Sequence, residues 1–240
     1  MATYVLLHGG AAGTWIWRDC AQLLRRDGHA VHTVTFTGFA ERRHLISRDC
    51  TVEMHVVDVL NTLEFEDVSD CVLVAHSYSG SVAPGVAVAA APRVRRLVYL
   101  DALVVHAGES VSEAMGYMNA DQARAVAAAV SVGAMPIYSP VAEQQREEAK
   151  KKPFIMSAER QEWLLSHLSN MPTACAVNPV RVGAEAVKQP VDYIAVSETV
   201  MKPMHQRARE LRWNIHEVPG DHAILVGDPD STVRLLERFA

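Results

Sequence analysis

Val72-Leu73-Val74-Ala75-His76-Ser77-Tyr78-Ser79-Gly80 joins an apolar run to a small-residue segment, Gly80–Ala91, through one polar tripeptide. A continuous apolar run of this length reads as a parallel strand covered on both faces. The segment after it reads as a helix whose small side chains let it lie close on a sheet. A serine at a sharp turn from buried strand to helix exposes its hydroxyl at the sheet's edge, as a nucleophile requires. So tight a turn demands small residues two before and two after the serine, and here these are Ala75 and Ser79. The plainer alternative, a serine capping a helix, leaves that flanking context unexplained.

The same alternation extends in both directions. Tyr4–His8, Val31–Phe36, Val94–Leu100, Tyr193–Val196 and Trp213–Val218 read as further strands, and Trp15–Asp27 as a helix stopped by Gly28. Val52–Leu63 reads as a helix with Thr51 as N-cap, Glu53 in its first turn and Val56, Val57, Leu60 and Leu63 on one face. Strands alternating with helices predict an α/β fold, a mostly parallel sheet of about six strands wound by right-handed crossovers. The rhythm breaks over residues 107–187, where helical stretches (Asn119–Val130, Val141–Lys151, Ser157–Ser169) follow one another without a convincing strand. This stretch is expected to be a helical cap inserted within a single domain spanning residues 1–240.

Composition narrows the functional classes. Net charge is −5 with acids and bases interspersed, so neither a nucleic-acid nor a membrane-surface partner is expected. No charged segment precedes a long apolar stretch near Met1, and no apolar run reaches the ~18 residues of a membrane span. Cys20, Cys50, Cys71 and Cys175 lack C-x-x-C spacing and read as reduced cysteines of a cytoplasmic protein. The run Lys150-Lys151-Lys152 reads as a solvated helix end.

A serine hydroxyl is a poor nucleophile at neutral pH without an adjacent base. Among the eleven histidines, His222 is best placed: it follows the last strand and the loop Pro219-Gly220-Asp221, and Ile224, Leu225 and Val226 anchor it. His76 lies within the elbow and is not expected to reach around its own serine, His216 lies in a strand, and His167 lies in the insertion. The developing oxyanion needs two N–H donors. One is expected from Tyr78, the residue after the serine. The other is expected from the glycine-rich loop His8-Gly9-Gly10-Ala11, with Gly10 favoured and Ala11 the alternative. No Lys-Ser/Thr follows that loop, so it does not read as a phosphate loop, and no metal-ligand spacing such as H-E-x-x-H occurs.

The joint pattern of H-G-G, small-x-Ser-x-small and G-D-H resembles the α/β-hydrolase superfamily across nearly the whole chain. More narrowly it resembles the branch of plant methylesterases and hydroxynitrile lyases. It is also similar to bacterial relatives with T-G-x-x-E-R-x-H-L, here Thr37-Gly38-Phe39-Ala40-Glu41-Arg42-Arg43-His44-Leu45. The resemblance implies the α/β-hydrolase fold and serine hydrolysis without metal or cofactor. Hydroxynitrile lyases place a threonine and a lysine where this chain has Gly9 and Ala223, which favours ester hydrolysis over cyanohydrin cleavage.

The acid of the triad departs from that pattern. In the segment Tyr193-Ile194-Ala195-Val196-Ser197-Glu198-Thr199, the position where such relatives carry aspartate holds Thr199. Asp101, at the end of the strand after the nucleophile helix, is the favoured acid, as in some haloalkane dehalogenases of this fold. Glu198 and a dyad without a carboxylate are the alternatives. A dehalogenase would need a carboxylate where Ser77 stands.

A small apolar or aromatic ester, lactone, carbamate or amide is the expected substrate, since some soil actinobacterial carbamate and amide hydrolases resemble this branch. Trp163, Tyr138 and Met118 are candidate pocket-lining residues, with Met115, Leu164 and Trp15 beside them, although plain packing is the blander role for each. A ligand-binding protein on a hydrolase scaffold and a cofactor-free lyase are the competing functions. Oligomeric state is not legible.

Overall fold

Successive residues of a strand point to opposite faces, and in the computed structural model, which describes residues 1–240, both faces of the central strands are covered. The chain runs β1 (Thr3–Leu7), α1 (Arg18–Arg26), β2 (Ala30–Val34), α2 (Val52–Phe65), β3 (Cys71–His76), α3 (Ala83–Ala89) and β4 (Val94–Leu100). A helical stretch follows: α4 (Val111–Ala114), α5 (Ala120–Ser131), α6 (Val141–Lys151), α7 (Ala158–His167) and α8 (Thr173–Val177). The two-residue strands β5 (Tyr138–Ser139) and β6 (Met171–Pro172) lie within it. Then come β7 (Val191–Glu198), α9 (Lys202–Glu210), β8 (Asn214–Asp221), α10 (Ile224–Gly227) and α11 (Pro229–Glu237).

Six strands form one sheet in the order β2-β1-β3-β4-β7-β8, and every neighbouring pair is parallel. Val5, Leu7, Leu73, Ala75, Leu97 and Tyr99 face one core, with the buried side chains of α2 and α3. Tyr4, Leu6, Val72, Val74, Val98 and Leu100 face the other, with α1 and α11. Small residues set the spacing on the first face: a methyl group at Gly85 would stand 2.6 Å from Val56 Cγ2. The chain order turns back between β1 and β3, which makes the carboxyl ends of those two strands the switch point where ligand crevices form.

Several local expectations are corrected. Trp15–Asp27 is a 3-10 turn, Thr14–Trp17, followed by α1. Trp17 is buried there, and its indole N–H donates to the Leu7 carbonyl at 3.0 Å. Thr51 has the extended backbone of an N-cap, but its hydroxyl caps nothing. The buried face of α2 is Val52, His55, Val59 and Leu63, and Val57 is 50% exposed. His55 is the reason: its two ring nitrogens find partners in the interior, and this turns the helix away from the purely apolar choice. The 107–187 stretch does contain a strand pair, since Tyr138 pairs with Pro172 and Ser139 with Met171. A two-residue ladder is too short to leave an alternating pattern. No helix is long and apolar enough to cross a membrane.

Candidate active site

Five adjacent parallel strands deliver their next residues to one edge of the sheet: His8-Gly9-Gly10 after β1, Ser77 after β3, Asp101 after β4, Thr199 after β7 and His222 after β8. Ser77 sits at φ +55° and Asp101 at φ +44°, left-handed conformations that L-residues ordinarily avoid at a cost of roughly 1–2 kcal/mol each. That backbone turns each side chain sharply out of the strand direction, and the surrounding core holds it there. At the elbow, Ser79 serves where glycine is commoner because its hydroxyl is used. It accepts the His76 N–H at 2.9 Å and lies 3.1 Å from the Leu7 carbonyl, to which it can donate.

The structure brings three of the expected residues into one relay. Ser77 Oγ lies 2.9 Å from His222 Nε2, and His222 Nδ1 lies 2.7 Å from Asp101 Oδ2. A carboxylate only accepts, so Nδ1 carries the proton and Nε2 presents its lone pair to the serine hydroxyl. Asp101 is fully buried. Burial alone would raise its pKa, but hydrogen bonds from His205, His222 and Thr199 outweigh that effect and hold the carboxyl well below the usual carboxylate range. The other candidate acid, Glu198, points elsewhere: it is exposed and pairs with Lys152 at 2.8 Å. Thr199, at the position where the resembling relatives carry aspartate, donates its hydroxyl to Asp101 Oδ2 at 2.5 Å.

Gly10 and Tyr78 stand side by side. A methyl group on Gly10 would lie 3.7 Å from Tyr78 Cβ and 3.4 Å from Met171 Sδ. The Gly10 N–H donates to no protein acceptor. Tyr78 lies in the first turn of the 3-10 segment Ser77–Ser81, where a backbone N–H has no acceptor within the helix. Gly9 packs against the nucleophile itself: a Cβ there would stand 2.9 Å from Ser77 Cβ and 3.0 Å from His76 Nδ1. The position therefore has no room for the threonine of the lyase pattern.

Three buried neutral histidines hold these parts in place, a role the sequence did not reveal. The Phe36 N–H donates to His8 Nε2 at 3.1 Å, so His8 Nδ1–H donates to the Gly9 carbonyl at 2.7 Å and fixes the glycine loop. His55 Nε2–H donates to the Thr37 carbonyl at 3.0 Å, and the Tyr78 hydroxyl donates to His55 Nδ1 at 2.7 Å. The Thr37–Arg42 part of the quoted motif feeds the same network, because Thr37 and Arg42 both bind Asp58. His76 Nε2–H donates to the His222 carbonyl at 2.9 Å, leaving His76 Nδ1 buried without a partner. Burial pushes His8 and His55 down to about 4 and His76, with His222 beside it, down to about 3.

The proposed lining residues separate. Tyr138 borders a cavity of about 360 Å³ with Gly38, Ile46, Leu168 and Asn170. Trp163 lines no part of it. It packs edge-on to Trp15 at 5.4 Å, lies tilted against His167 at 4.7 Å and carries the Arg18 guanidinium 4.7 Å from its ring centroid. A large ring gains more from that aromatic and cationic packing than from an open wall. Met118 lies in the turn after α4, half-buried, and is also outside that cavity. The helical stretch reaches the site through β6, which places Met171 over Gly10 and Pro172 over Gly38, and through the Ser169 N–H, which donates to the Ala11 carbonyl at 2.8 Å.

Comparison with known proteins adds family and fold. The model of the alpha/beta hydrolase family matches residues 4–235. A carbendazim-hydrolysing esterase from Nocardioides sp. (strain SG-4G) is 49% identical over 111 residues, 46% of this chain and 46% of that protein. Methylesterase 9 of Arabidopsis thaliana is 35% identical over 81 residues, 33% of this chain and 32% of that one. The chain thus spans less than half the length of either curated relative in these matches. Among solved structures, an extracellular alpha/beta-hydrolase from a Paenibacillus species superposes with a TM-score of 0.76 at 20% identity, covering 99% of this chain and 98% of that one. Polyneuridine aldehyde esterase superposes with a TM-score of 0.72 at 18% identity, covering 100% and 99%. At such identities the likeness to these structures is one of fold.

Proposed function

The chain belongs to the alpha/beta hydrolase family, and from that premise we propose that it is a serine hydrolase cleaving a small ester, lactone, carbamate or amide through an acyl-enzyme. The observation that carries this reading is the continuous relay Ser77–His222–Asp101, with hydrogen bonds of 2.9 and 2.7 Å. His222 Nε2 takes the Ser77 proton as Oγ attacks the carbonyl carbon. The Gly10 and Tyr78 N–H groups receive the developing oxyanion, and Asp101 balances the charge on the imidazolium. When the tetrahedral adduct collapses, His222 returns the proton to the departing alcohol or amine. Water, deprotonated by His222, then attacks the acyl carbon, and Ser77 leaves with its proton restored.

The segment 107–187 serves in this reading as a cap within a single hydrolase unit, and its Met171 side chain against Gly10 supports an apolar or aromatic acyl neighbour. The carbendazim-hydrolysing and methylesterase relatives support carbamates and small esters as the classes to screen first. Four unpaired, buried cysteines fit a cytoplasmic setting. A fluorophosphonate probe tests the proposal: wild type should label stoichiometrically and Ser77→Ala should not. An unlabelled wild type would favour a binding protein or a lyase instead.

A further inference from the structure

Asp101 reaches His222 from β4, yet the groups that orient its carboxylate come from the segment that would ordinarily carry the acid. Thr199, just beyond β7, donates to Oδ2 at 2.5 Å, and its oxygen accepts the Met201 N–H at 2.9 Å, so the hydroxyl is fixed at both ends. His205, one turn into α9, lies with Nε2 2.8 Å from Oδ1. Because the carboxylate only accepts, His205 Nε2 carries the hydrogen, and the tautomer with a bare Nε2 does not fit this contact. The ring is buried, packs edge-on to Tyr193 at 5.4 Å, and takes its place in the stripe Met201, Met204, His205, Ala208. Its other edge borders a groove of about 510 Å³ between α9 and the β7–β8 edge, lined also by Val196, Lys202 and Arg209.

Two oxygens thus meet three donors. His222 and Thr199 share Oδ2, and His205 alone satisfies Oδ1. Without His205, Oδ1 is a buried acceptor on a charged group with no partner. Such a group relieves the cost by rotating or by taking up a proton. Either response turns Oδ2 away from the geometry that steadies the imidazolium in the transition state, while nothing in the substrate pocket changes.

We propose that His205 is a positioning residue for acyl transfer, its Nε2–H fixing the plane of the Asp101 carboxylate so that Oδ2 faces His222. The inference rests on the serine-hydrolase reading for its kinetic consequence but not for its geometry. The experiment compares full-length wild type with His205→Leu, which removes the donor, and His205→Gln, which keeps a side-chain N–H at similar reach. Turnover of p-nitrophenyl acetate is normalised to active sites titrated with a fluorophosphonate, and the downfield proton resonance of His222 Nδ1–H is recorded for each. His205→Leu should lower kcat about 10- to 100-fold with KM within about twofold, and should shift the resonance. His205→Gln should recover to within about fivefold of wild type. A His205→Leu kcat within about threefold of wild type, or a Gln variant no better than Leu, overturns the proposal. If Ser77→Ala turns over as fast as wild type, the hydrolase reading has failed and the resonance decides alone: unmoved in His205→Leu, it overturns the positioning role, and moved, it upholds that role.

Discussion

Replacing Asp101 by asparagine keeps the volume of a fully buried side chain and removes its charge. The three donors around it leave two ways for an amide to sit. With its oxygen toward His222 and Thr199, the NH₂ faces His205, whose ring can move its proton to the groove-facing nitrogen and accept instead. The His222 tautomer then survives and the loss is electrostatic. An imidazolium and a carboxylate about 4 Å apart interact by roughly 4 kcal/mol at an effective dielectric of ~20, which is about a thousandfold in rate. In the reverse orientation the NH₂ faces His222 Nδ1. That nitrogen becomes an acceptor, Nε2 carries the proton, and no base faces Ser77; a comparable change in a protease triad costs ~10⁴. Asp101→Asn is therefore expected to lower kcat about 10³- to 10⁴-fold with KM little changed. The assay is steady-state hydrolysis of a p-nitrophenyl ester, with folding checked by thermal denaturation. Glu198→Gln, altering an exposed residue paired to Lys152, should leave kcat within about twofold. A folded Asp101→Asn enzyme within about tenfold of wild type would refute the charge-balancing argument.

Gly9→Ala should cut kcat by about 100-fold or more, because its Cβ would press on Ser77 Cβ at 2.9 Å and on His76, both held by the elbow; normal turnover would mean the loop yields freely. Ser79→Ala strands the buried His76 N–H and should cost about 1–3 kcal/mol of stability by urea titration, whereas an unchanged midpoint would show that the elbow needs no such hydroxyl. Acid should unfold the protein through His8, His55 and His76. Burial holds their folded values at about 4, 4 and 3, below the 6.5 of the unfolded chain. The unfolded state therefore binds the extra protons, and stability falls as pH drops from about 6.5 toward 4, by up to about 4 kcal/mol per pH unit when all three titrate together. Asp101 acts in a lower window: its folded value is depressed, so its contribution is complete above the usual carboxylate range and is lost only below it. A urea midpoint flat between pH 6.5 and 4.5 would contradict the neutral, buried assignment of the three histidines.

The sheet was legible because its central strands are buried on both faces and so leave unbroken apolar runs, as in Val72–Ala75. Ser77 was legible because it directly follows such a strand, and His222 because it closes the last strand-like run before the apolar residues Ile224, Leu225 and Val226. The acid was only half legible. A carboxylate after β4 stood out, but its link to His222 spans more than a hundred residues, and only the fold shows Thr199 turned into a donor for it. His205 carries a weaker signal: a lone polar ring within the apolar stripe Met201, Met204, Ala208 requires a buried partner. The same logic applies to His55 on α2, which is buried while Val57 is exposed. An aromatic side chain in a helical insertion suits a pocket wall and a surface contact equally well, and Trp163 packs against Trp15, His167 and Arg18.

Acyl transfer to Ser77 leaves a covalent trace. Protein quenched in acid during turnover of p-nitrophenyl acetate, then weighed intact and mapped by peptide mass spectrometry, should carry one acetyl group on the peptide containing Ser77. A burst of one p-nitrophenol per chain should accompany it, and Ser77→Ala should show neither. Wild type that turns over the ester with no adduct and no burst, or with the acetyl group on another residue, would contradict the mechanism.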